Sequence, residues 1–407
     1  MHENEITPPP VHAATTPPPP PRRGRRTLFL PAVAAALALG VVGTSVGYVV
    51  ARQQPTATSS TPTPESSRVL LPPGYGQDQG GLQAPTTPYG YQEYGGSGGT
   101  TGQGGSTDTT GQASGSQLTG LVRVVSTMAY DGATAAGTGM VLSSDGEVVT
   151  NHHVVEGATS IEVKVMSTGD TYTADVVGTD ASADVAVLQL EDASGLDSVA
   201  TDDDGVTQGE AVTAVGDGNG TVDHLSAATG SVLATDQQIT TQSEGTAEGE
   251  RLTGLIEISS DVVGGYSGGA TYDADGEVVG MTTAASSGGP DIVGYAIPIS
   301  TVLTIADDLE SGATGASYAY GRPAFLGVGL GDGTVVQGVY DGTPAADAGI
   351  EAGDTITAID GSATTTAARL RALIAAHDPG DEVSITWSDT SGSSHTETVE
   401  LGEGPVA

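Results

Sequence analysis

The chain has no cysteine, one lysine (Lys164), one tryptophan and two phenylalanines in 407 residues. Without thiols there can be no disulfides, no thiolate metal site and no cysteine nucleophile, although export remains open. Basic residues are scarce as well: 12 Lys and Arg stand against 50 Asp and Glu, a formal net charge of −38. Such a surface repels polyanions and argues against a nucleic-acid partner. Five of the twelve bases, Arg22, Arg23, Arg25, Arg26 and Arg52, lie in the first 52 residues.

Glycine, by contrast, is abundant, with 61 residues. It devalues one motif in particular. Ser-Gly-Gly, which surrounds the nucleophile in some hydrolases, occurs in GGSGG at 95–99, in GGYSGG at 264–269 and in SGGP at 287–290. The motif alone cannot choose among the three.

Texture divides the chain. Residues 1–26 form a Pro- and Thr-rich tail ending in RRGRR, and 27–51 contain no charged residue. That run is long enough to cross a bilayer as a helix, and the arginines before it orient the N-terminus to the cytoplasm. An uncleaved transmembrane signal anchor is favoured over a cleaved signal, because no clear small-x-small site follows. Residues 52–116, rich in Pro, Thr, Ser, Gly and Gln, read as a low-complexity linker. The serine of GGSGG lies in it, where no rigid scaffold could hold a base nearby.

From 117 to 312 short β-branched runs alternate with turn signals, among them EVVTNHHVV, SIEVKVM, DVAVLQL, GLIEISS and VGYAIPI. The Asp-Gly pairs at 145–146 and 275–276 predict hairpin turns. The pattern predicts a mainly β domain, a barrel or sandwich, closed by a short helix over 299–312. DADGE at 273–277 lacks the carboxylate a calcium loop needs at its twelfth position and reads as a turn. Residues 320–404 mix strands with a helix, TTAARLRALIAAH, and form a second, small α+β domain.

A serine nucleophile needs a histidine base and an acid to orient it. His2 and His12 lie in the tail, and His377 and His395 in the small domain. His152, His153 and His224 remain. Asp184 opens the apolar run VAVLQL, and Asp180 is its rival. The chain order is then His, Asp, Ser, one of the orders in which this triad occurs.

GTGMVLSSDGEVVTNHHVVEG, DVVGTDASADVAVLQLE and LTGLIEISSDVVGGYSGGATYDADGEVVGMTTAA resemble the histidine, aspartate and serine segments of the HtrA/DegP family of trypsin-fold serine proteases. The resemblance implies a double β-barrel with His153, Asp184 and Ser267 as the catalytic triad, and the backbone N–H groups of Gly265 and Ser267 as the oxyanion hole. It also places Ser287 on the rim of a substrate pocket involving Asp261, Tyr266, Val293, Gly294 and Tyr295. Asp261, six positions before the serine, is where enzymes that cut after basic residues carry an acid, whereas this family prefers small aliphatic residues. Tyr266 and Ala270 depart from the family's Asn before the serine and Pro after the glycines.

RPAFLGVGL and PAADAGIEAGDTITAIDG resemble a PDZ domain, which takes a peptide as an added strand. Phe325, Leu326, Gly327 and Val328 would bind its carboxylate. Leu370 and Ile374 would line its side-chain pocket or belong to the core. The resemblance implies a membrane-tethered, extracytoplasmic endopeptidase acting on unfolded polypeptides or protein C-termini, homo-oligomeric as a trimer, with no metal or organic cofactor. The alternative is a non-cleaving chaperone or stress sensor on the same scaffold.

Overall fold

The computed structural model describes residues 49–50, 110–130, 132–218, 224–242, 251–286, 293–331 and 333–407. The expected anchor therefore lies outside the described residues except for Val49–Val50, which are extended and pair with strands Ser226–Gln242 and Val278–Ser286. No helix among the described residues is long and apolar enough to cross a membrane. Within the span read as linker, Thr110–Gln112 is a strand that pairs with the start of Ser226–Gln242.

Two antiparallel barrels follow. The first sheet runs Tyr318–Tyr320, Thr171–Asp180, Ser160–Val165, Leu121–Met128, Ala133–Val141, Glu147–Thr150, Val185–Leu190. It closes because Val185–Leu190 also pairs with Thr171–Asp180. Closure removes the free edges that an open sheet exposes. Alternation aims the side chains: in Ser160–Val165, Ile161, Val163 and Val165 are buried while Ser160 and Glu162 are exposed. These join Val122, Val124, Val148, Ala186 and Leu188 in the first core.

The second barrel closes in the same way. Ala211–Gly216 pairs with both Ala270–Tyr272 and Ser226–Gln242, and Arg251–Ile258, Gly294–Pro298 and Val278–Ser286 complete the ring. The Asp145–Gly146 and Asp275–Gly276 turns each join neighbouring strands, with both glycines at positive φ. Helix α1 is one turn, His152–Val155, and helix α2, Ile299–Glu310, buries Ile299, Val302, Ile305, Ala306 and Leu309.

The last domain holds the short helix α3, Pro344–Asp347, and helix α4, Ala367–Ile374, beside the sheet of Thr355–Ile359, Glu382–Ser388 and Ser394–Glu400. Thr366 caps α4 by accepting from the Arg369 N–H at 3.1 Å. Contacts gather the described residues into one unit.

Glu147 starts the strand that leads to α1, beside Glu310 and Asp307 at the end of α2. Burial, then the Glu310 and Asp307 carboxyls, push the Glu147 carboxyl up to about 7. A group whose pKa rises on folding gives stability that is complete below its unfolded value and lost as pH climbs through the folded one. Glu147→Gln should therefore melt higher than the parent above pH 7 and lose that advantage below about pH 4.5, as followed by thermal denaturation across pH.

Candidate active site

The two barrels meet at a cleft lined by Ala135, Ala136, His153 and Val154 from the first, and by Val262–Ser267, Thr282, Thr283 and Ala285 from the second. His153 sits on α1, directly after a buried strand, and is 4% exposed. Its Nδ1 lies 2.9 Å from each carboxylate oxygen of Asp184, and its backbone N–H donates to Oδ1 at 3.1 Å. A carboxylate can only accept, so Nδ1 carries the proton and Nε2 is left as the basic nitrogen.

Asp184 is held from several sides. Asn151 Nδ2 donates to its carbonyl at 2.9 Å, and Thr283 Oγ1 donates to Oδ2. Its φ of 57° is left-handed, a conformation uncommon outside glycine and tolerated by Asp. Burial by itself would raise its pKa. The electrostatic pull of His153 and the hydrogen bonds from His153 and Thr283 outweigh burial and hold the carboxyl below its usual value. Asp180 turns elsewhere: its Oδ1 accepts from the Ser182 N–H, the Ser182 hydroxyl and the Ala183 N–H.

Ser267 lies on the opposite wall, its hydroxyl donating to the Thr283 carbonyl at 3.3 Å. Thr283 thus contacts both Asp184 and Ser267. Among the described residues the N–H groups of Gly265 and Ser267 find no intramolecular acceptor, so both remain able to donate to a bound oxyanion. Gly265 has φ 95°, and a Cβ there would lie 2.0 Å from the Asp217 carbonyl oxygen. Only glycine fits this turn.

A layer behind the turn was not legible in the sequence. Thr138 Oγ1 donates to the Gly265 carbonyl at 2.8 Å and accepts from the Asp217 N–H at 2.9 Å. The Thr138 N–H donates to the Ser267 carbonyl at 2.8 Å, and Thr150 Oγ1 donates to the Thr138 carbonyl at 2.7 Å. Arg123 Nε meets the buried Asp217 Oδ2 at 2.6 Å. Thr138 and Thr150 do fall inside the quoted GTG and TNHH stretches, a signal that pattern reading passed over; nothing local marks Thr283, Arg123 or Asp217.

Asp261 is exposed and outside the cleft lining; Val293 is half-buried and Gly294 and Tyr295 are buried, and these three also lie outside the lining. Gly294 packs against Val262 and Ile258, and Tyr295 is 2% exposed in the core. Tyr266 borders the cleft yet is 1% exposed. Its ring fills the space beside Gly216 and Gly218, and burial pushes its hydroxyl up to about 12. His224 lies in a loop away from the cleft lining, and Ser287 falls outside the described residues.

In the small domain, Leu326, Leu370 and Ile374 are core residues rather than open groove walls. Gly327, φ 88°, presses on Thr343, and Val328 opens the strand Val328–Leu330. Phe325 stacks on Tyr130 with centroids 5.2 Å apart.

A trypsin-like peptidase domain model matches residues 137–281, and a PDZ domain model matches 317–388. The chain is 32% identical over 314 residues to the serine protease Do-like HtrA of Lactococcus lactis subsp. lactis, covering 67% of this chain and 74% of that protein. This chain belongs to the HtrA family of serine proteases. The HtrA assignment carries the enzyme class with it: the chain is a serine endopeptidase with a trypsin-like barrel domain and a PDZ domain. It is 29% identical to the periplasmic serine endoprotease DegP of Escherichia coli, over 62% of this chain and 54% of that protein. It therefore spans about half the length of that HtrA relative. The HtrA-type protease AlgW with decapeptide aligns at 25% identity over 72% of this chain and 99% of that one, with a TM-score of 0.41; a superposition that loose adds nothing to the assignment.

Thr138→Val should keep the buried shape and remove the hydroxyl that joins Gly265 to Asp217. A lost hydrogen bond of about 1–1.5 kcal/mol corresponds to a roughly tenfold lower kcat. Steady-state kinetics on a fluorogenic peptide, with KM nearly unchanged, checks it.

Proposed function

We propose that this HtrA-family endopeptidase cleaves unfolded or damaged exported polypeptides with Ser267 as nucleophile, His153 as general base and Asp184 as its orienting acid. The observation that carries the reading is the buried His153–Asp184 pair facing Ser267 across one cleft, with Thr283 touching both sides. Ser267 Oγ attacks the scissile carbonyl as Nε2 of His153 takes its proton. The resulting imidazolium is stabilised by the Asp184 carboxylate and returns the proton to the leaving amine. The N–H groups of Gly265 and Ser267 stabilise the tetrahedral oxyanion.

The cleft walls favour a small aliphatic side chain before the scissile bond. Val262, Val263 and Ala285 supply apolar surface, while Asp261 stands outside the lining. The PDZ domain would recognise exposed C-termini by strand addition through Phe325–Val328. The uncharged run 27–51 behind four arginines supports a signal anchor that places both domains outside the membrane. The family resemblance supports a trimer.

A fluorophosphonate probe and an unfolded protein substrate test the reading. Ser267→Ala should abolish labelling and lower cleavage by about 10⁶-fold, and Asp184→Asn should lower kcat by about 10⁴-fold. Labelling or cleavage that survives Ser267→Ala would remove Ser267 from the mechanism. Sequencing the product ends reads the side-chain preference, and cleavage mainly after Arg or Lys would overturn the aliphatic pocket.

A further inference from the structure

Helix α1 carries the general base but is only four residues long. A single helical turn is not stable by itself, since nucleation costs more than one or two hydrogen bonds return. Its own bonds are few: the Val154 N–H donates to the Asn151 carbonyl at 3.2 Å, and the Glu156 N–H to the His152 carbonyl at 2.9 Å. The Asp184 contacts hold its N-terminal side.

Its C-terminal side is held by residues more than 240 positions away. After the strand Gly402–Glu403, the chain leaves the PDZ domain, and the Gly404 N–H donates to the Pro323 carbonyl at 2.7 Å. Val406 then pairs with the turn that ends α1. Its N–H donates to the Ala158 carbonyl at 3.0 Å and its carbonyl accepts from the Gly157 N–H at 2.8 Å. The Val406 side chain is 3% exposed and belongs to the first-barrel core with Val154, Val155 and Ala158. His152, 3% exposed and adjacent to the general base, reaches the Ala407 carbonyl with Nε2 at 3.0 Å. A carbonyl only accepts, so Nε2 is the donor. Two more ties fasten the first barrel to the PDZ domain. Arg322 donates to the Thr159 carbonyl, just after α1, and the Tyr130 ring stacks on Phe325 and packs tilted against Tyr340.

We propose that residues Pro405–Ala407 form a strap that positions His153 for catalysis, with Val406 as its anchor. The strap makes the PDZ-domain exit segment part of the proteolytic machinery even for substrates too short to reach a peptide groove. Val406 and Ala407 touch no reacting atom. They act through His152, Gly157 and Ala158. The proposal rests on the assignment of His153 as general base.

The test uses the full chain, a short fluorogenic peptide and active-site titration with a fluorophosphonate. Val406→Asp places a charge in the first-barrel core, and Val406→Ala keeps both backbone bonds while removing two methyl groups. For a positioning strap, Val406→Asp should lower kcat per titrated site at least tenfold, with KM within twofold and a shifted acid limb of the pH–rate profile. Val406→Ala should lower it about threefold, and Val406→Ile should stay within twofold of the parent. A strap that only stabilises the fold predicts fewer titratable sites, each with the parent kcat. That result overturns the proposal, as does an unchanged kcat in both Val406→Asp and Val406→Ala. If Val406→Asp does not fold, Val406→Ala decides alone. If the parent neither titrates nor cleaves, the His153 assignment falls and the strap with it; a parent whose activity depends on Ser267, beside unaffected Val406 variants, removes the strap alone.

Discussion

The carboxylate of Asp184 is the point on which the active site depends. It is a buried charge placed where two barrels meet, and a buried charge is tolerated only when its lone pairs are filled. His153 and its own backbone N–H fill them from the first barrel, and Thr283 from the second. The same bonds that satisfy Asp184 bring the base to the wall opposite Ser267. Chemistry and domain closure are therefore coupled through one side chain. The left-handed backbone at Asp184 is part of the arrangement, because it turns the strand start so that the carboxylate faces α1.

Around that carboxylate the structure uses short polar side chains to hold backbone. Thr138 and Thr150 carry no charge, yet Thr138 holds the Gly265 carbonyl through its hydroxyl and the Ser267 carbonyl through its N–H, Thr150 holds Thr138, and the N–H groups of Gly265 and Ser267 are left unspent. Each hydroxyl both donates and accepts, or reaches a carbonyl one strand away, which an apolar side chain of equal size cannot do. Half-buried Arg123 and fully buried Asp217 support the layer beneath as an ion pair. Removing Arg123 is costly because Asp217 stays buried without its partner. The first barrel thus supplies the base and much of the support for the turn that the second barrel contributes.

The residues named from sequence divide by how local their signal was. His153, Asp184 and Ser267 each stood in a strand-and-turn context that repeats the family's pattern, and all three are found at or beside one cleft. Asp261 was named by its offset from the serine alone, and it is exposed, since an offset along a loop does not say which way a side chain points. Val293, Gly294 and Tyr295 were named because DIVGYAIPIS resembles the family's pocket-lining strand, and Gly294–Pro298 pairs within the second barrel with Arg251–Ile258 and Val278–Ser286. Leu370 and Ile374 have the spacing of a helix face, which reads alike for a groove wall and for a core. The packing of Leu326 against that face makes it core. Thr283 had no local mark, because its role comes from contacts with residues 99 positions earlier and 16 positions earlier.

By itself the sequence determined the fold class, the protease family and the order of its acid, base and nucleophile. The mainly β reading follows from strand periodicity and turn residues, and the family and the triad order from motif resemblance, all of which act over a few neighbouring positions. Only the tertiary structure decided which acid meets the histidine, where the pocket walls lie, what holds the nucleophile turn and what closes the end of α1. Those facts rest on pairings between segments far apart in the chain, such as Thr138 with Gly265, Asp184 with Thr283 and Ala158 with Val406. Periodicity and local motifs carry no record of such pairings, because it is barrel closure and the burial of apolar faces that bring the segments together.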